Sequence, residues 1–190
     1  MRILNQKLCR GHVNMCGRNY LHLPTLLIIL GLVVACSRTP LPLCSEFFAE
    51  GDLDRFEDLG AGRVLDRDAG LEWYRCSVGQ SYRGRQCTGD PYMLKWSEAK
   101  SMIGEISEKS GSTWRLPTIS EMSTLTEKQC RRPSLNPTAF PGILIENYWA
   151  SDESPYRGYR CGVYTFNAGK SCRLFDSLEL PFLMVRSGEK

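Results

Sequence analysis

The chain has 190 residues, with 24 Lys and Arg, 21 Asp and Glu and two His, which give a formal net charge of +3. Both His residues and four of the basic residues lie before residue 36, so the rest of the chain carries 20 Lys and Arg against 21 Asp and Glu, a net charge of about −1. A nearly neutral chain without His argues against nucleic acid as a partner. It also excludes a Ser-His-Asp or Cys-His catalytic site and imidazole metal ligands there.

The first 35 residues have the composition of an export signal. An apolar run over residues 23–35 follows four basic residues and is shorter than the ~20 residues that a membrane span requires. The run ends in Val-Val-Ala-Cys, which resembles a bacterial lipobox, where the chain is cut before a Cys that receives diacylglycerol. We therefore predict a lipoprotein signal peptide over residues 1–35 and lipidation of Cys36. A retained membrane-anchor helix is the alternative, and Met15 is an alternative translation start.

The residues after the signal indicate location and domain organisation. The residue after the predicted lipidated Cys is Ser37 and not Asp. In lipoproteins of Gram-negative bacteria, this favours delivery to the outer membrane. We therefore expect a protein of the bacterial cell envelope that a lipid anchors to the membrane, on the periplasmic or the surface face. Residues 36–53 contain Pro40 and Pro42 with little periodicity, and they are predicted to form a tether. Residues 54–190 are then predicted to form one domain.

The domain begins with patterns typical of short strands and then changes to helical spacing. Over residues 55–74, apolar-alternating runs are separated by Asp- and Gly-rich turns, which predicts antiparallel strands. Asp66 and Asp68 are interpreted as turn caps, because a calcium loop needs further acidic positions that are missing. The helical spacing that follows predicts a helix ending near Gly111, with these residues on one face: Trp96, Ala99, Met102, Ile103 and Ile106.

A strand-to-helix corner is predicted in the Trp114-Arg115-Leu116-Pro117-Thr118-Ile119-Ser120-Glu121 stretch. Pro117 holds the residue before it in an extended conformation, so a strand or extended segment ends there. Thr118 and Glu121 have the T-x-x-E spacing of a capping box, which begins a second helix that stops by residues 131–133. Arg115 and Glu121 are interpreted as framework residues, the first fixing the turn and the second capping the helix.

Short strand candidates follow at 143–149, 162–166, 171–175 and 182–185, with a hairpin turn over residues 167–170. If Ala168 and Gly169 form a two-residue loop, Thr165 faces Cys172, and Cys161 lies four residues further along the strand. At ~3.4 Å per residue that distance is too long for a disulfide. This register therefore predicts that Cys161 and Cys172 pair elsewhere, with Cys44 and Cys130 as candidates.

The cysteine count after residue 36 predicts disulfides and not a metal site. Six Cys, an even number, would enter an oxidising compartment. None of them forms a C-x-x-C pair, so zinc is disfavoured, and we predict no metal and no cofactor. Cys76 and Cys87 flank a Gly-rich loop and are predicted to pair. The remaining candidates are Cys44, Cys130, Cys161 and Cys172.

An ordered series of motifs over residues 54–188 resembles the Lcl C-terminal domain family. The motifs are Phe56-x-Asp58-x-Gly60, Val64-x-Asp66-x-x-x-Gly70-Leu71-x-Trp73, Trp96-x-x-Ala99, Trp114-Arg115-Leu116-Pro117-Thr118-x-x-Glu121, Tyr148-Trp149-x-Ser151 and Val185-Arg186. The resemblance implies an α+β, C-type-lectin-like fold, stapled by disulfides, with two helices packed on short irregular antiparallel sheets. The Arg-Leu-Pro-Thr-x-x-Glu core is also similar to that of formylglycine-generating proteins. The family's name-giving member is a surface adhesin that binds glycosaminoglycans, but its collagen-like repeat is missing here.

Three functional hypotheses follow. The first is a non-catalytic binding domain for anionic polysaccharide or surface glycans, with Tyr156, Tyr159 or Tyr164 as stacking faces. Its candidate ligand-binding residues are Arg131, Arg132, Arg157, Arg160, Lys170 and Arg173. Acidic residues lie among them in the sequence, so the alternative for each one is an ordinary solvated surface residue that binds no ligand. The second hypothesis is an accessory envelope protein that docks another protein. The third, an enzyme of the formylglycine-generating type that uses Cys161 and Cys172, is the least supported, and no catalytic residue is predicted.

Overall fold

The structure is a computed structural model that describes residues 40–174 and 177–188. The predicted signal peptide, Cys36 and residues 37–39 of the predicted tether lie outside the described residues. Within the described part, three helices and nine strands make the chain α+β, as predicted. In chain order they are α1 (Cys44–Phe47), β1 (Phe56–Gly60), β2 (Arg63–Asp66), β3 (Leu71–Tyr74), β4 (Ser81–Arg83), β5 (Gln86–Thr88), α2 (Trp96–Ser110), α3 (Ile119–Thr124), β6 (Asn147–Glu153), β7 (Tyr159–Tyr164), β8 (Gly169–Leu174) and β9 (Val185–Ser187). None of the described helices is long and apolar enough to cross a membrane.

The first sheet is antiparallel, with the strand order β1-β2-β3-β9. Val64 on β2 lies directly opposite Trp73 on β3, and both side chains are fully buried in the same core cluster. The turn between these strands is closed by Asp66, whose Oδ1 accepts from the backbone N–H groups of Asp68 and Ala69 at 3.1 and 3.2 Å. The prediction that Asp66 caps a turn is confirmed.

The second sheet is also antiparallel, with the order β6-β7-β8. Tyr148 on β6 pairs with Val163 on β7, and both pack in one core cluster with Met122 of α3. The next pair, Trp149 and Gly162, faces the opposite way because side chains alternate along a strand. Trp149 packs in a second core cluster with Trp96, which begins α2. Residues of the two helices therefore pack against opposite faces of this sheet, α3 through Met122 and α2 through Trp96.

The strand predicted at 143–149 begins four residues later, at Asn147. The side chain of Thr165 explains the difference, because it replaces the backbone ladder along residues 144–146. Its Oγ1 donates to the carbonyls of Leu144 and Glu146 and accepts from the Glu146 N–H at 3.0 Å. The buried hydroxyl of Thr165 thus binds residues 144–146, although their apolar pattern predicts a strand.

Helix α2 ends as predicted, at Gly111, whose φ of 63° is the left-handed conformation of a helix C-terminus. Helix α3 is shorter than predicted, because its last residue is Thr124 and not one near residue 131. The chain turns back after it: the Glu127 N–H donates to the Ser134 carbonyl at 2.8 Å and not to the preceding helical turn. The helical spacing of residues 119–125 therefore marks just two turns.

The part of the predicted tether that the structure describes is folded onto the domain, which corrects that prediction. The described residues, 40–174 and 177–188, belong to one compact unit. Helix α1 begins at Cys44, which is buried and bonded to Cys130, 86 residues further along the chain. The Cys44 N–H donates to the Arg131 carbonyl, and the Arg131 N–H donates to the Pro42 carbonyl, both at 3.0 Å. Covalent and backbone bonds thus hold a segment whose prolines alone predict an extended linker.

The disulfides correct one prediction and confirm another. Cys161 and Cys172 are bonded to each other, so the prediction that they pair elsewhere is wrong. The hairpin loop has four residues, 165–168, which places Tyr164 opposite Gly169 and Cys161 directly opposite Cys172, with their Cα atoms 4.0 Å apart. Cys76 and Cys87 are bonded as predicted, across the loop that carries β4 and β5.

Candidate functional site

The predicted corner at residues 114–121 serves the fold. Thr118 Oγ1 accepts from the Glu121 N–H at 3.1 Å, and the Glu121 carboxylate accepts from the Thr118 N–H at 2.8 Å, which is the predicted capping box. Trp114 and Leu116 are buried in the core, and so are the other three Trp residues of the chain. The capping groups are bonded to each other, and Trp114 and Leu116 are packed in the core, so this corner is structural.

Arg115 and Glu121 form a framework ion pair, as the sequence predicts. Two guanidinium nitrogens of Arg115 donate to the two carboxylate oxygens at 2.8 and 2.6 Å. This hydrogen bonding lowers the pKa of Glu121 to about 2 and raises the pKa of Arg115 above its usual value. A carboxylate that stays ionised and fully hydrogen-bonded is suited to capping and not to acid–base catalysis.

Three of the six predicted ligand-binding residues lie on one face of the β6–β8 sheet. Arg160 on β7 pairs directly with Arg173 on β8, so both side chains lie on the same face. Because side chains alternate along the strand, Gly162 and Tyr164 share that face on β7, and Ser171 shares it on β8. Charged, small and aromatic residues thus follow one another along the hairpin.

Arg160 is held at one end of this face by an aromatic ring. Its guanidinium carbon lies 4.5 Å from the ring centroid of Trp96, and Lys100 Nζ lies 4.9 Å from the same centroid. The Trp96 indole donates to the Ala150 carbonyl at 2.8 Å, which fixes the ring. Lys100 also lies 3.9 Å from the exposed carboxylate of Glu153. The Trp96 ring therefore contacts two cations at this end of the face.

Arg132 lies at the other end of the same face, although it comes from a different loop. Its guanidinium carbon lies 4.9 Å from the ring centroid of Phe166, and the Phe166 ring stacks on Tyr164 with centroids 5.7 Å apart and an interplanar angle of 14°. The Arg132 N–H donates to the Phe166 carbonyl at 3.3 Å, which joins the loop to the hairpin. A layered Arg–Phe–Tyr stack results.

We call this surface the arginine–aromatic face, and it comprises Arg132, Arg160, Tyr164, Phe166, Ser171 and Arg173. Arg132 and Arg173 are exposed, and the other four side chains are partly exposed. Tyr164 lies four residues after Arg160, a distance of about 13 Å along the strand, which suits an extended chain of a few sugar units. The face can offer guanidinium donors at its ends, with a hydroxyl and an aromatic ring between them.

The other three predicted residues lie elsewhere. Arg131 binds the N-terminal segment, because its Nε donates to the Leu41 carbonyl at 3.0 Å. Arg157 is exposed in the turn between β6 and β7. Lys170 pairs with Val163 and therefore points to the opposite face of the sheet from Arg173. The sequence thus selects the right hairpin but does not separate its two faces.

Sequence reasoning missed Phe166 and Ser171 as members of the face. Strand alternation does not predict Phe166, because it lies in the four-residue loop 165–168, and its place on the face comes from the stacking of its ring on Tyr164. Ser171 required the correct hairpin register, which places it opposite Gly162. The contact between Arg132 and Phe166 joins residues 34 positions apart, and no local pattern predicts it.

A separate cleft of about 540 Å³ lies between residues 45–51, the tip of the β4–β5 hairpin and residues 137–141. Arg75 lines the cleft and is buried, with 3% of its surface exposed. Its guanidinium donates to the carbonyls of Ala139 and Thr138 and to Asp58 Oδ2. Arg75 therefore clamps the 137–141 loop to the first sheet. Across the described residues, no cluster of His, Cys, Asp and Glu is arranged to hold a metal.

Comparison with known proteins gives one match. The family model described as the Lcl C-terminal domain matches residues 62–186. No curated protein and no solved structure matches the chain. The matched residues include the whole arginine–aromatic face, whereas α1 and β1 lie before them.

Proposed function

The chain belongs to the Lcl C-terminal domain family, and we propose that its domain is a non-catalytic binding module for anionic polysaccharide. In this proposal a lipid on Cys36 anchors the protein to the bacterial envelope, at the outer membrane. The arginine–aromatic face is the binding surface. The observation that supports it most is the convergence of Arg132, from the loop after α3, with Arg160 and Arg173 on one face of the hairpin.

The chemistry of the face favours an anionic ligand. A guanidinium group presents a planar set of donors that matches sulfate and carboxylate oxygens. Arg132 and Arg160 are held by aromatic rings, so they lose less side-chain freedom on binding than unsupported arginines. Arg173 is exposed, so a ligand can reach its guanidinium group.

The aromatic and small residues favour a sugar over a simple anion. Tyr164 is partly exposed and offers a hydroxyl beside an apolar ring, and Ser171 adds a second hydroxyl on the neighbouring strand. Apolar faces of sugar rings pack on aromatic side chains, whereas a free sulfate ion would gain nothing from them. A chain of charged sugars would use both kinds of group along the face.

The cysteines give no support to a formylglycine-type enzyme. Cys161 and Cys172 are bonded to each other, so neither offers the free thiol that such chemistry requires. Glu121 is committed to Arg115 and to the helix cap, and this pairing keeps its pKa well below the range that suits a general acid or base. We therefore propose binding without catalysis.

The test is binding of the purified chain, with its disulfides oxidised, to dextran sulfate and to uncharged dextran. The two polymers share one backbone and differ in charge. We expect binding to dextran sulfate that weakens as salt is raised, because exposed guanidinium–sulfate pairs are screened over ~10 Å at 0.1 M salt. Binding to uncharged dextran is expected to be much weaker. Absence of dextran sulfate binding at low salt would contradict the proposal.

A further inference from the structure

The outer edge of β8 offers unpaired backbone groups. β8 is the last strand in the order β6-β7-β8. The opposite edge of this sheet is covered, because the Trp149 N–H donates to the Pro181 carbonyl and the Ser151 N–H donates to the Pro117 carbonyl, at 3.1 and 2.7 Å. Among the described residues, no such backbone bond reaches the outer edge of β8. The second sheet thus has one covered edge and one edge open along six residues.

The hydrogen-bond pattern identifies which residues face outward. The Thr165 N–H donates to Glu146 on the β6 side, so the backbone groups of the preceding residue, Tyr164, point toward β8. Tyr164 pairs with Gly169, and alternation along β8 then turns every second residue away from β7. The residues whose backbone N–H and C=O groups point outward are Lys170, Cys172 and Leu174. The close Cα spacing of Cys161 and Cys172, 4.0 Å, agrees, because it is typical of a pair without mutual backbone bonds.

The long side chains of β8 are two basic residues, Lys170 and Arg173, and one apolar residue, Leu174. Lys170 and Arg173 are exposed, and 66% of Leu174 is exposed to solvent. β8 contains no acidic residue and no proline, either of which would block an added acidic strand. If two copies of β8 paired antiparallel, centred on Cys172, the seam would gather two Lys170 and two Arg173 side chains and no acidic side chain of the strand. The same charges that repel a second copy attract an acidic strand.

We propose that β8 binds an extended acidic segment of a partner protein by antiparallel strand addition. The backbone groups of Lys170, Cys172 and Leu174 would pair with the segment, and side chains would set its sequence. Opposite Leu174 we expect an apolar residue, followed by an acidic residue opposite Arg173. A second acidic residue, three positions later, lies opposite Lys170. This site shares Arg173 with the arginine–aromatic face, but it also uses the backbone edge of β8, so its backbone pairing goes beyond polysaccharide binding and does not require it.

The experiment measures amide hydrogen exchange by NMR on the full chain in detergent micelles. The probe is the synthetic peptide Thr-Val-Glu-Val-Thr-Glu-Thr, and the control peptide has Lys in place of both Glu. The Glu peptide should slow exchange of the outward amides of Lys170, Cys172 and Leu174 by about tenfold, since each gains a hydrogen bond. The inward amides of Ser171 and Arg173 should change less. This alternation distinguishes strand addition from a general electrostatic contact.

Two variants test the backbone and the charges separately. Lys170→Pro removes an outward N–H without touching the bonds to β7, and we expect it to weaken Glu-peptide binding about tenfold, more than the matched Lys170→Ala. The paired change Lys170→Glu and Arg173→Glu should transfer preference to the Lys peptide, and it remains informative if the proline variant does not fold.

Three results would overturn the proposal. The first is unchanged exchange at Lys170, Cys172 and Leu174 with millimolar Glu peptide. The second is equal protection by the Lys peptide. The third is protection that grows with protein concentration in the absence of peptide, which would assign the edge to a second copy of the chain.

Discussion

Arg115 and Glu121 are joined by two parallel hydrogen bonds of 2.8 and 2.6 Å, at the corner where the chain leaves the extended segment and begins α3. The same carboxylate accepts from the Thr118 N–H at 2.8 Å. One ionised side chain thus fixes both the turn and the helix start. The side chain of Glu121 is 19% exposed and that of Arg115 is 44% exposed, so solvent partly screens the pair.

This pair predicts that stability falls in acid through Glu121. Its pKa of about 2 in the folded chain lies below the usual 4.5, so its contribution is complete above pH 4.5 and is lost as pH falls toward 2. After allowance for screening, we expect Glu121→Gln to lower the free energy of unfolding by about 1 to 2 kcal/mol at neutral pH. Urea denaturation from pH 2 to 7 should show the two curves converging in acid. A difference that stays constant with pH would mean that the charge is not responsible.

The disulfides predict unequal losses of stability. The chain between Cys44 and Cys130 spans 86 residues, whereas that between Cys161 and Cys172 spans 11. Loop-closure entropy then gives losses of roughly 4.6 and 2.8 kcal/mol for paired Cys→Ala replacements. Urea denaturation of the two double variants measures this order. A larger loss for the Cys161 and Cys172 pair would show that contacts within the folded hairpin outweigh loop closure.

The buried Arg75 should make a large contribution to the free energy of unfolding. In Arg75→Met the carbonyls of Ala139 and Thr138 lose their donor, and we expect a loss of about 3 kcal/mol in the free energy of unfolding. The matched control is Arg83→Met, the same substitution at an exposed position on β4. It should change the free energy of unfolding by at most about 0.5 kcal/mol. Equal effects at the two positions would refute the clamp.

Local chemistry predicted the parts of the fold that depend on neighbours in sequence. The Thr118–Glu121 cap, the Asp66 turn, the Cys76–Cys87 staple and the Gly111 helix end all join residues at most 11 positions apart. Hydrophobic spacing likewise placed α2. These features are confirmed because a few backbone and side-chain groups determine them without the rest of the molecule.

The errors arose where distant groups decide the outcome. A two-residue loop was the simplest interpretation of the turn at Asn167, but the Asn167 side chain caps Gly169 within a four-residue loop, which shifts the register and brings Cys161 opposite Cys172. The prolines of the N-terminal segment predict a tether, but the segment is folded because Cys44 is bonded to Cys130, 86 residues away.

The candidate site was predicted in composition but not in arrangement. All six basic residues were named from sequence, yet which of them share a face depends on hairpin register and on the contact of Arg132 with Phe166. Arg131 shows the same limit. Its neighbour Arg132 joins the face, whereas its own side chain binds the N-terminal segment.

The central claim is that the arginine–aromatic face, and not general basic charge, binds anionic polysaccharide. The most direct measurement compares dextran sulfate affinity for two double variants that remove the same charge. Arg132→Ser with Arg173→Ser alters the face, and Arg157→Ser with Lys170→Ser removes two cations outside it. We predict that the first weakens binding at low salt by about tenfold or more and the second by about twofold at most. Equal losses in the two variants, or a larger loss in the second, would contradict the account.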